Sequence, residues 1–297
     1  MPNNPLGEVF GFPCSNVSET ATRYRRLKFC PFPNRVPSCT KEKADDPLGV
    51  CSVVHHGVAA ITCPIRFRQD WIIAEDAAAF FFPEGTSWTS LTEVGLNDKN
   101  GNSAGNIDVV LVSYDGRGKV TDFGALEVQG VYISGNVRRP FEHYMENPVA
   151  NVDMDWRKEK NYPRPDYLSS SRKRLVPQLL YKGGILNAWK KKIAVALDEG
   201  FFATLPSLKE VDEAKSDIGW LIYKLEYDEG KKLLSLKRSR AVHTIFHESI
   251  DRIARPEVGS PDDFIKVLQD KLDDKLEGNS PDNKTIQVER LEGFGAA

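Results

Sequence analysis

Residues 105–132, GNIDVVLVSYDGRGKVTDFGALEVQGVY, constrain this chain more than any other stretch. A β-branched run, 107–112, carries a single acid, Asp108. A glycine-rich turn, Asp115-Gly116-Arg117-Gly118, follows, and then a run alternating apolar with polar, Ala125-Leu126-Glu127-Val128-Gln129. Two such runs joined by such a turn predict adjacent antiparallel strands. Residues two apart on a strand share a face, so Glu127 and Gln129 point the same way and Asp108 can stand beside Glu127.

A carboxylate in an apolar strand is costly without compensation. Two together are worse, because each disfavours ionisation of the other. A divalent cation resolves both problems, and one or two carboxylates completed by water and substrate phosphate describe a Mg²⁺ site. Such an ion activates water and stabilises phosphoryl charge. One reading of the stretch is therefore metal-assisted phosphodiester hydrolysis. The other is an edge hairpin whose polar face meets solvent.

The second informative segment is FCPFPNRVPSCTKEKADDPLGVCSVVHHGVAAITCPIRF. Cys30, Cys39, Cys51 and Cys63 are separated by eight, eleven and eleven residues. The chain has 297 residues and 5 cysteines, no signal-like apolar block at its start and no stretch of transmembrane length. A cytoplasmic protein is expected, in which four clustered cysteines argue against disulfides and for a tetrahedral thiolate site. Free buried thiols are the alternative. A four-sulfur site takes zinc or iron, and the spacing does not separate them. His55 and His56 are competing ligands that four thiolates do not require. Cys14 stands apart and reads as a buried, inert thiol.

Taken with D(x18)ExQ at Asp108, Glu127 and Gln129, the phrases CPF at Cys30, SCTK at Cys39, GVC at Cys51 and CPIR at Cys63 resemble the NotI-type restriction endonucleases over residues 28–135. That resemblance implies an α/β fold, a PD-(D/E)xK nuclease core of mixed sheet flanked by helices, with an N-terminal four-cysteine module. It implies Mg²⁺ at Asp108 and Glu127, Gln129 in the place of the usual lysine, and a structural iron (or zinc) on the four cysteines. It further implies site-specific cleavage of double-stranded DNA by a homodimer, with a cognate DNA methyltransferase in the host. Glu93, one strand ahead of Asp108, is either a third metal-site carboxylate or a solvated strand residue. A non-catalytic, metal-stabilised DNA-binding protein and a shape-reading repair or resolving nuclease are the competing functions.

The sequence divides into an N-terminal segment, 1–70, and a nuclease domain, 71–297, expected to pack as one unit. Net charge is −2, so no global basicity advertises nucleic acid. Its distribution is uneven: residues 138–192 hold 13 Lys/Arg against 6 Asp/Glu, a local footprint for phosphate. Arg138 and Arg139, on an expected loop after Gln129, and Arg172, Lys173 and Arg174, at an expected helix start capped by Ser169–Ser171, are the candidate DNA contacts. Helices are predicted over 66–82, 177–197, 241–253 and 261–276, and a hairpin over 218–226 and 233–236.

Overall fold

A computed structural model describes residues 4–42, 45–256 and 258–276. These fall into two compact units that divide after Ala254. The first holds a small sheet, a large sheet and the helices that cover them.

The small sheet comprises β1 (Leu6–Val9), β2 (Phe12–Pro13), β3 (Val50–His55) and β4 (Val58–Ile61), in the order β2-β1-β3-β4. Its two hairpins close through Phe10-Gly11 and His56-Gly57, all four with positive φ, the conformation that suits two-residue turns to strand twist. Helix α1 (Glu19–Leu27) follows β2, capped by Ser18, whose side chain accepts from Ala21 N–H.

Residues 66–82 are helical in two pieces. A 3₁₀ stretch, Pro64–Trp71, breaks at Gln69 and Asp70 and leads into α2 (Ile72–Phe81). The large sheet then begins with β5 (Trp88–Asn97), β6 (Ser103–Tyr114) and β7 (Val120–Gln129), an antiparallel meander. A short ribbon pairs β8 (Tyr132–Ser134) with β9 (Arg164–Asp166), and β10 (Ile193–Asp198), β11 (Ile218–Asp228) and β12 (Leu233–Thr244) complete the large sheet. Its order is β12-β11-β10-β7-β6-β5. β10 runs parallel to both β7 and β11, so the sheet is mixed.

Alternation along these strands sends side chains into two cores. Ala125, Ile193, Val195, Leu197, Trp220 and Ile222 meet one layer of helices. Leu126, Val128, Ala194, Ala196 and Leu221 meet α2, whose Ala74, Ala77 and Ala78 bring it close to the sheet. The result is a mixed α/β fold, a six-stranded sheet flanked by helices.

Four local expectations change. Residues 177–197 are not one helix. The helical run from 167 ends at Ala188, Lys190 turns left-handed, and Ile193–Asp198 becomes the central strand β10. A short apolar run buried on both faces has no period to separate strand from helix. Residues after Gly135, expected as a loop, form α3 (Arg138–Glu146), with Pro140 tolerated in its first turn, where its missing N–H has no intrahelical partner. The helix at 167 is capped by the Asp166 side chain, which accepts from Ser169 N–H, and Ser169–Ser171 lie inside it. Residues 241–244 extend β12, and the helix there is Phe246–Ala254. In the second unit, Pro261–Leu276 is helical as predicted.

Candidate active site

The pairing of β6 with β7 matches Val109 to Leu126, and one step further sets Asp108 opposite Glu127. On the other side of β6, Thr92 pairs with Val109 and Val94 with Ile107, which brackets Glu93 opposite Asp108. Glu93, Asp108 and Glu127 thus form one row across three neighbouring strands. Glu93 is exposed and left-handed, with φ of 56°. A non-glycine residue held there in mid-strand is strained, and such strain gathers at functional sites.

The row runs from solvent into the core. Asp108 is half-buried and its Oδ2 accepts from Val128 N–H at 2.8 Å. Glu127 is 3% exposed. Its Oε2 accepts from the Lys182 ammonium at 2.6 Å, while Oε1 is buried with no hydrogen-bond partner. Burial, and then the neighbouring Asp108 charge, push the Glu127 carboxyl up to about 8 against the pull of Lys182. Burial also raises Asp108, opposed by the Val128 bond and the Lys182 charge. This is a frustrated pair of acids: one buried oxygen has no hydrogen-bond partner and ionisation is costly. A hard cation shared by the two would satisfy both, although among the described residues these acids do not form part of a group of three or more that could hold a metal.

Gln129 is buried two residues on, and its Nε2 donates to Gln178 Oε1. Gln178 and Lys182 belong to the helical run 167–188, which contains two π segments, Ser171–Leu175 and Leu179–Gly183, around Pro177. Proline lacks the N–H of a regular turn, and widened turns absorb the mismatch. Four residues apart on this helix, Gln178 and Lys182 lie on one face and meet two residues of β7 that also share a face. Neither was singled out from sequence. A signal existed: Lys182 falls between Leu179 and Leu186 at core spacing, where a lysine needs a partner.

The cysteines pair off locally. Cys51 lies on β3, and its carbonyl accepts from Thr62 and Cys63 N–H at 3.0 and 3.2 Å, which sets Cys63 across the β3–β4 hairpin. Cys30 and Cys39 flank the bridge of Phe29 to Ser38, with Cys30 N–H bonded to Pro37 O and Cys39 N–H to Lys28 O, both at 2.8 Å. All four are free thiols. They line one cavity of about 250 Å³ whose other walls include Arg68, Glu93 and Asp108. Burial pushes the Cys30 thiol up to about 11 and raises Cys39 and Cys51, with neighbouring cysteines adding to each shift. The donor set suits a thiophilic metal, yet among the described residues no group of three or more Cys, His, Asp or Glu is drawn close enough to hold one. Cys14 is buried and pushed up to about 12, an unreactive thiol.

The basic candidates separate. Arg138 is bound to Glu42 at 2.6 Å and Asp46 at 2.7 Å, tying α3 to the cysteine segment. Arg139 pairs with Glu159 at 3.3 Å. Arg172, Lys173 and Arg174 are exposed on the long helix, with Arg174 over the Tyr132 ring at 4.6 Å.

The sequence model of the family described as restriction endonuclease NotI matches residues 15–235, the greater part of the chain, from α1 through β11 and into the start of β12. The chain belongs to the NotI restriction endonuclease family. Its activity is that of a type II restriction endonuclease, a hydrolase acting on the phosphodiester bonds of DNA. Restriction endonucleases generally use Mg²⁺. No curated protein matches the chain. Among the described residues no helix is long and apolar enough to cross a membrane.

Proposed function

We propose that the row of acids is a Mg²⁺-dependent centre of the PD-(D/E)xK type, cutting double-stranded DNA at a specific site. The observation that carries this reading is Glu127 Oε1, buried, unpartnered and beside Asp108. Asp108 and Glu127 would hold the ion, with Glu93 closing the exposed end of the row. Bound there, Mg²⁺ supplies an activated water and a counter-charge for the phosphoryl oxygens. Gln129, fixed by Gln178, orients water or an ion ligand without adding charge.

In the same proposal residues 1–70 form a module in which Cys30, Cys39, Cys51 and Cys63 hold a structural iron or zinc. Its support is the shared cavity and the free thiols. The module braces the wall facing Glu93 and Asp108 and has no redox role. Arg172, Lys173 and Arg174 offer phosphate contacts, while Arg138 braces the cysteine segment through Glu42 and Asp46 and Arg139 pairs with Glu159. A homodimer matches a palindromic site, and a cytoplasmic setting with a cognate methyltransferase completes the reading.

Digestion of unmethylated phage DNA with Mg²⁺ or with EDTA, alongside Glu127→Ala and Asp108→Asn, tests the centre. Discrete fragments that need Mg²⁺ and vanish in both variants are expected. Discrete fragments from Glu127→Ala would remove this carboxylate from the mechanism. Metal analysis of wild type and Cys51→Ser tests the module, with about one iron or zinc per chain expected in the first and loss in the second.

A further inference from the structure

Lys182 is 4% exposed, in the middle of the helical run 167–188. Its ammonium donates to Glu127 Oε2 at 2.6 Å and to the Asn106 carbonyl at 2.9 Å. A buried lysine is retained at a large desolvation cost, so its partner matters. Here the partner is an acid that also borders Asp108. The bonding divides the Glu127 carboxylate: Oε2 is taken and Oε1 is left buried and empty-handed. Gln129, the next residue on that face, carries no charge. The only cation bonded to this carboxylate among the described residues therefore comes from the helix, not from the strand.

We infer that Lys182 is a positioning residue for the catalytic acids: it fixes Glu127 through Oε2 and turns Oε1 toward the ion shared with Asp108. Asn106, whose carbonyl takes a second N–H, lies two residues before Asp108, so one ammonium ties both acid-bearing strands to the helix. This rests on the metal-site reading above.

Two roles for Lys182 predict opposite signs. A positive charge 2.6 Å from a ligand carboxylate repels an incoming dication. If Lys182 is only a counter-ion, removing it tightens ion binding. If it positions Glu127, removing it loosens ion binding, as loss of groups that orient metal ligands commonly does, by about 10- to 100-fold.

The test is Ca²⁺ binding to the full-length protein by titration calorimetry, with melting curves for each variant. Wild type, Asp108→Asn, Lys182→Met and Lys182→Arg are compared. Ca²⁺ binding that is abolished in Asp108→Asn, weakened at least about 10-fold in Lys182→Met and largely restored in Lys182→Arg is expected. Single-turnover cleavage should fall with it while DNA affinity in Ca²⁺ stays near wild type. Binding in Lys182→Met that equals or exceeds wild type, with Asp108→Asn still defective, overturns the inference alone. Wild-type binding unaffected by Asp108→Asn overturns the metal site, and the inference falls with it. Should Lys182→Met not fold, Lys182→Ala, which also removes donor and charge together, is read by the same signs.

Discussion

Glu8 and Arg66 meet at 2.9 Å with neither side chain exposed to solvent. Glu8 lies on β1 of the small sheet, and Arg66 lies in the 3₁₀ stretch Pro64–Trp71. Ser52 Oγ donates to the same carboxylate, and Arg66 also reaches Gln69 and the Leu234 carbonyl. The pair is thus the polar rivet between the cysteine-bearing sheet and the nuclease-like sheet. Removing one partner leaves a buried charge, at a cost of about 3–5 kcal/mol. Arg66→Ala and Glu8→Ala should each lower the melting temperature sharply, whereas Glu8→Leu combined with Arg66→Met should cost less than either alone. Thermal denaturation of the three variants checks this.

Metal-free stability should depend on pH through Glu127. Its folded carboxyl lies near 8, above the ordinary range, so the folded state keeps a proton that the unfolded chain gives up near pH 4.5. The favourable contribution is whole below about pH 4.5 and is lost as pH rises toward 8. Denaturant melts in EDTA should show stability declining from pH 6 to 8. Glu127→Gln should flatten that slope, and an unchanged slope would count against this carboxyl as its source.

Gly124 on β7 has no room for a side chain. A Cβ there would come within 2.4 Å of the Phe81 ring, packed down from α2. Gly124→Ala should destabilise by about 1–3 kcal/mol through overpacking. Adding Phe81→Leu should recover part of the loss, measurable as a shift in denaturation midpoint at constant slope.

Asp198 closes β10 with three backbone donors on one carboxylate: Ile61 N–H on Oδ2, and Gly200 and Phe201 N–H on Oδ1. Burial nevertheless lifts its carboxyl to about 6, so it is ionised at neutral pH. Asparagine would turn an amide donor toward at least one of these N–H groups. Asp198→Asn should cost about 1–3 kcal/mol at pH 7. Faster hydrogen exchange at the Ile61 amide would locate the damage.

The hairpin of acids was legible because its information is local: a period of two, a glycine turn and acids at matching positions. The four cysteines also stood out locally, and they line one cavity, but among the described residues they are not gathered into a group that could hold a metal. β10 was not, since a strand buried on both faces loses the alternation that marks a strand, and Ala188 to Ile193 offers no proline or glycine to announce the change. α3 was hidden behind Pro140, which reads as a breaker but sits where a helix accepts it. Within the site, the three strand residues lay in plain view, whereas Lys182, Gln178 and the Glu8–Arg66 pair depend on contacts across 49 to 58 residues. No window of sequence shows which lysine will meet which glutamate.

The left-handed turn of the backbone at Glu93 has a consequence for the protein's behaviour in a crowded solution. β5 is the outermost strand of the large sheet, ten residues long, with Leu91 among its exposed side chains. A flat edge of that length invites another copy to add a strand and begin aggregation. Glu93, near the middle of β5, departs from extended geometry with φ of 56° and sets a charge on the exposed strand. The residue that stands opposite Asp108 thus also places a charge and an unextended backbone on the edge, two features that disfavour strand addition.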